Sequence, residues 1–120
     1  MKTVSVYLKH ILEACEKVEM MVQDLDKEDF MDKDWITREA ILRQLEIIGE
    51  AVKRIPNEFK LKYSEVSWKD ISGMRDYLVH EYFAVNYEMA WETAISDIPK
   101  LKKKIVEIAL KENIKISLIP

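Results

Sequence analysis

The sequence predicts an all-α protein, an antiparallel four-helix bundle. Three observations carry that reading. Apolar residues recur at three- and four-residue steps in four separate segments. Only two Gly and three Pro occur in 120 residues, far too few for the tight turns of an all-β chain. No segment shows the strict apolar–polar alternation of a strand ladder, and short antiparallel connections then favour a bundle.

Each element has its own warrant. Residues 3–25 form the first predicted helix, with Val4, Leu8, Ile11, Leu12, Cys15, Val18, Val22 and Leu25 on one stripe and Thr3 or Ser5 as cap. DKEDFMDKDW breaks the repeat with charges and reads as a loop. ITREAILRQLEIIGEAVKRI is the second helix, with Asp34 or Thr37 as N-cap and Ala40, Ile41, Leu45, Ile48, Val52 and Ile55 as its stripe. Pro56 ends it, because the residue before a proline is pushed out of the α region. Gly49 inside it is either tolerated or marks close approach of another helix. Residues 56–66 read as an irregular connection or a short helical turn. The third helix starts near Ser67, where SWKD sets Asp70 as a short-armed relative of a capping box, and ends about His80 or Tyr82. Asn86 caps the fourth, which carries Ala90, Trp91, Ala94, Ile95, Ile98, Leu101, Ile105 and Ile108 and should kink or break at Pro99. Residues 113–120 form an apolar, β-branched tail. The whole, 1–120, reads as one domain.

Composition narrows the function. The net charge is −3, so there is no global pull toward nucleic acid, and any RNA contact needs a local basic patch. The cluster Lys100, Lys102, Lys103 and Lys104 is a candidate, against the plain reading of a solvated helix face. The lone Cys15 excludes an internal disulfide and a Cys-rich zinc site. His10 sits among charges, far from the second histidine, and no carboxylates cluster with ligand spacing. No metal or cofactor is expected. No apolar run approaches a membrane span, and the N-terminus lacks a signal-peptide core, so the chain reads as cytoplasmic and free of the membrane.

One stretch resists the plain reading. GMRDYLVHEY, residues 73–82, places Arg75 inside the apolar arc of the third helix, with Tyr82 about 20° away on the helical wheel. An arginine there is costly unless it is paired or faces a polar cleft. His80 lies about 140° from Arg75, on the side of Gly73 and Tyr77. One straight helix does not aim both at one point. Either the helix ends or distorts near His80, or two subunits complete the site across a twofold axis, with Gly73 allowing close contact.

This stretch resembles the Arg-x-x-x-x-His-x-Tyr signature of HepT-like proteins in the HEPN superfamily, with Arg75, His80 and Tyr82 at its three positions. YLKHILEACEKV resembles the family's opening helix, REAILRQLEIIGEAVKRI its second, and WKDISGMRDYLVHEYFAVNYEMAWETAISDIPKL its third and fourth. The resemblance covers about residues 5–108. Asp76 departs from the usual Asn and Asn86 from the usual Asp; the second change is bland, because the two are near-equal caps. The resemblance implies a homodimeric toxin of a toxin–antitoxin pair, a metal-independent ribonuclease whose antitoxin partner is a minimal nucleotidyltransferase able to transfer AMP to Tyr82. His80 then serves as general acid/base and Arg75 as the cation on phosphorus, with Asp76 and Tyr82 in support. The alternative is a non-catalytic substrate-binding subunit of such a nucleotidyltransferase.

Overall fold

The first apolar repeat folds into α1 (Lys2–Val22), and both candidate caps, Thr3 and Ser5, fall within the helix. The computed structural model describes residues 2–116, apart from the side chains of Lys2 and Tyr82. The charged segment after α1 holds a π-helical turn, Asp29–Lys33, where sequence predicted a loop. Its single aromatic explains the order: Phe30 is fully buried, tilted against Trp91 with ring centroids 5.2 Å apart. Arg38 donates to the carbonyls of Phe30 and Met31 at 3.1 and 3.0 Å and lies 4.0 Å over the Tyr87 ring.

Helix α2 spans Trp35–Arg54. Of the two candidate caps, Asp34 is the cap and Thr37 its partner. The Asp34 carboxylate accepts from Thr37 N–H at 3.0 Å and from its hydroxyl at 2.7 Å. These bonds hold the carboxyl below the usual aspartate range. Ile55 turns extended ahead of Pro56, as the proline demands. Ala40 is exposed, and Leu42 takes its place in the buried stripe.

The connection contains a short helix, α3 (Asn57–Lys62), and buries Phe59, Tyr63 and Val66. Helix α4 is Trp68–His80. Ser67 stands at its N-cap position, but its side chain makes no capping bond. The expected capping box is absent, and a local bond ties down the helix start instead, with the Trp68 indole N–H donating to Tyr63 O at 2.9 Å.

The predicted fourth helix divides in two. Helix α5 (Tyr87–Glu92) is capped by Asn86, which accepts from Met89 N–H at 3.0 Å. A π-helical turn, Thr93–Asp97, leads into α6 (Ile98–Lys111). The break falls just before Pro99, which has no N–H to donate. The extra residue in the π turn shifts the register, so Ala94 and Ile98 are buried while Ile95 turns outward. At the far end Asn113 adopts a left-handed φ of 55°. Ile114 N–H reaches Ala109 O at 2.9 Å and Asn113 N–H reaches Leu110 O at 3.3 Å, a Schellman closure. Ile114 and Ile116 pack on the core; the rest of the predicted tail, residues 117–120, lies outside the described residues.

Helix α2 is central, packed on α1 and α4, while α6 closes against α1. The start of α5 meets the start of α2 through Arg38 and Tyr87, so α4, which leads into α5, runs antiparallel to α2. Among the described residues there is no strand, and no helix is long and apolar enough to cross a membrane.

Candidate active site

Gly49 sets the geometry of the site. A Cβ built there would lie 2.2 Å from Arg75 Cβ and 3.1 Å from Ile71 O. Only hydrogen fits, so α2 and α4 touch at this point, and Gly49 marks a helix crossing. The crossing puts the residue after Gly49 beside Arg75. Glu50 Oε2 lies 3.2 Å from Arg75 Nε, and Asp76 Oδ1 accepts from Arg75 Nη1 at 3.1 Å. The pairing that an arginine in an apolar arc requires is thus supplied by two carboxylates. Its side chain is 28% exposed, enough to present a guanidinium edge.

Asp76 does more than hold Arg75. It also accepts from Lys53 of α2. The Lys53 and Arg75 bonds, in that order, hold its carboxyl below the usual aspartate range. Glu50 and Lys53 are functional neighbours that sequence reasoning missed. The one sequence signal was Gly49, which marks a crossing whose face Lys53 shares four positions on; Glu50 flanks that face and had no signal of its own.

His80 is the last residue of α4 and is exposed. Its Nδ1 lies 2.8 Å from the Asp76 carbonyl. A carbonyl only accepts, so Nδ1 donates in this bond, which leaves Nε2 as the ring nitrogen free of it. The helix ends immediately beyond. Tyr77 braces the following turn, its hydroxyl accepting from Asn86 N–H at 2.8 Å and donating to Ala84 O at 3.4 Å. The Tyr82 phenol lies outside the described side chains. Gly73 has no neighbour within 4 Å of a built Cβ, so nothing in the protomer requires glycine there.

Arg75 lines a groove of about 460 Å³ between α1, α2 and α4, with Tyr7, His10, Arg43, Glu46, Glu50 and Arg54 among its walls. The lysines of α6 lie elsewhere. Lys100 and Lys104 line a second cavity, about 320 Å³, beside Leu45, Ile71 and Met74, on the other flank of the α2–α4 crossing. Lys102 is paired with Glu19 at 3.0 Å, and Lys104 donates to Glu65 O at 2.9 Å. Lys100 and Lys103 are exposed. Among the described residues no three His, Cys, Asp or Glu are grouped to hold a metal ion.

Comparisons with known proteins bear on most of the chain. A family model described as "Ribonuclease HepT-like" matches residues 11–108. A protein of Caldanaerobacter subterraneus subsp. tengcongensis named "Putative RNase" is 53% identical over 112 residues, covering 93% of this chain and 99% of that protein. One of Thermococcus cleftensis named "Probable ribonuclease HepT" is 45% identical over 103 residues, 85% of this chain and 92% of its own length. A longer protein of Methanocaldococcus jannaschii named "Gamma-glutamylcyclotransferase and putative RNase" is 43% identical over 107 residues, 89% of this chain but 48% of its own length. No solved structure matches at a significant level. The helical architecture, the Arg75/His80 spacing and the match across most of the chain converge: this chain belongs to the HepT-like ribonuclease family.

Proposed function

We propose that the protein is a metal-independent endoribonuclease whose site joins Arg75 and His80 from two copies of the chain. One observation carries the reading: the His80 Nδ1–Asp76 carbonyl bond of 2.8 Å occupies one ring nitrogen of an exposed histidine and leaves Nε2 for substrate. Nε2 takes the proton of an RNA 2′-OH, the 2′-oxygen bonds to phosphorus, and the bond to the 5′-oxygen breaks. The leaving oxygen gains a proton, and a 2′,3′-cyclic phosphate remains. Arg75, held by Glu50 and Asp76, offsets the charge that develops on phosphorus. The two positions lie about 140° apart on a straight helix, so in this reading a second copy supplies the missing partner. Gly73 has open space around it and shares the side of His80 on the helical wheel, which supports an approach of two α4 helices there.

In this reading the protein is the toxin of a toxin–antitoxin pair. A minimal nucleotidyltransferase neutralises it by moving AMP to Tyr82: the phenolic oxygen bonds to the α-phosphorus of ATP, pyrophosphate leaves, and the phenol proton is lost. The adduct adds bulk and negative charge beside the site and repels RNA. Family membership and the intact motif support this. Mass spectrometry after incubation with the partner and ATP tests it, and mass added to a Tyr82→Phe variant would contradict it.

The cleavage test uses RNA in EDTA with wild type, Arg75→Ala and His80→Ala. Each variant should lose roughly 10²- to 10⁴-fold in rate. Mixing the two inactive variants should restore about a quarter of the wild-type sites, because half the dimers are mixed and each carries one intact site. Equal cleavage by all three proteins removes the site. An inert, unmodified wild type favours the non-catalytic binding subunit.

A further inference from the structure

The groove between α1, α2 and α4 holds groups that the cleavage motif does not use. Arg43 and Arg54 lie eleven residues apart on α2, within about 20° of one another and roughly 16 Å apart along the axis. Arg75 enters from α4 between them, opposite Glu50. Three guanidiniums therefore line one trough against two carboxylates, Glu46 and Glu50. On the α1 side Tyr7 and His10 meet edge to face, ring centroids 6.3 Å apart, and form an aromatic wall. The chain's net charge of −3 makes this local excess of cations more telling.

We propose that this groove is a subsite for single-stranded RNA flanking the scissile phosphate. Arg43 and Arg54 take backbone phosphates, and the Tyr7–His10 wall takes a base. The proposal rests on the ribonuclease reading. The present partners of the two arginines do not oppose it. Arg43 pairs with Glu46 at 3.1 Å and Arg54 with Glu50 at 3.3 Å, with the arginine side chains 68% and 59% exposed. Exposed pairs of this kind are weak, so each guanidinium can exchange its carboxylate for a phosphate, which it grips through two bonds. Exchange at Glu50 also couples the subsite to Arg75, since one carboxylate holds both Arg54 and Arg75. Ile47, Ala51 and Val79 also line the groove, but three guanidiniums against two carboxylates in a chain of net negative charge favour a polyanion over a protein face.

The test reads binding without turnover. A fluorescein-labelled oligouridine is titrated with full-length His80→Ala protein in EDTA over a range of salt. Adding Arg43→Ala and Arg54→Ala should lower the salt slope by about 1.4 and weaken binding roughly 25-fold at about 0.1 M salt, the loss expected for two single-strand phosphate contacts. Arg43→Lys with Arg54→Lys should keep the slope. Tyr7→Leu or His10→Ala should weaken binding about fivefold or more, the loss of one base stack, with the slope unchanged. In the protein with His80 intact, the double alanine variant should raise KM and lower kcat/KM. An unchanged slope and KM would overturn the proposal. So would an equal loss in the charge-matched Lys60→Ala/Lys69→Ala control, or a change confined to oligomeric mass, which would make the groove a seat for a second copy. A wild type that binds RNA this way but never cuts it would sink the cleavage reading alone.

Discussion

Replacing Gly49 with alanine isolates the contact on which the site depends. The new methyl would sit 2.2 Å from Arg75 Cβ, where ordinary contact begins at 3.4 Å. Arg75 Cβ is fixed to the α4 backbone and does not swing aside like the end of a long side chain. The helices must therefore part by about 1.2 Å at the crossing. Two effects compete. Alanine favours the helix over glycine by about 1 kcal/mol. Forcing extra volume into a packed contact costs about 1–3 kcal/mol, and parting α2 from α4 also loosens Glu50 from Arg75. The clash should win, by about 1–2 kcal/mol net. For a chain of this size that is a fall in Tm of roughly 3–10 °C. Thermal unfolding followed by circular dichroism measures it, and RNA cleavage at a temperature where the variant stays folded should fall as well. A Gly49→Ala protein that melts at or above the wild-type temperature would show that propensity dominates, and the argument that α2 and α4 touch at this residue would fail.

The opposite result is expected at Gly73, which has open space around it. Gly73→Ala should stabilise the protomer by up to about 1 kcal/mol through propensity, while sedimentation should show a weaker dimer and the cleavage rate should drop. Phe30→Ala removes the buried anchor of the Asp29–Lys33 turn and should cost about 3–5 kcal/mol in urea unfolding; a loss under about 1 kcal/mol would mean that the turn is held by its charges. Asp34→Asn should leave stability near neutral pH almost unchanged, because both residues cap well, yet flatten the acid limb. The folded Asp34 carboxyl titrates below its unfolded range near 3.9, so its contribution is whole above about pH 4 and is lost as pH falls through the folded value. Wild type and variant with identical acid limbs would remove that cap from the account. Burial pushes the Cys15 thiol up to about 12, so alkylation at pH 8 should proceed only as fast as the protein opens; rapid labelling of the native protein would place Cys15 near the surface.

Much of this protein was legible in its residues alone. Apolar periodicity located the four long helical stretches, though not the short α3 or the division between α5 and α6, because a helix must bury one stripe and the spacing of that stripe is set by 3.6 residues per turn. Asp34 and Asn86 announced their caps, since the bonds they make reach only three residues along the chain. The placement of Arg75 in an apolar arc demanded a partner before any partner was visible. Which carboxylate would answer was not readable. Glu50 and Lys53 lie more than twenty residues from Arg75 and Asp76, and only the Gly49 crossing makes them neighbours. The same holds for the lysines of α6. Along the chain they form one patch, but tertiary contacts tie Lys102 to Glu19 and Lys104 to Glu65, and the fold sets them across the helix pair from Arg75. His10 is exposed, but a histidine's neighbours on its own helix say nothing of the helix beside it; packing α1 on α2 placed it at the groove that Arg75 enters. Sequence fixes what lies within a helical turn, where geometry is repetitive. Tertiary structure decides which turns face one another, because that depends on volume and crossing across the whole chain.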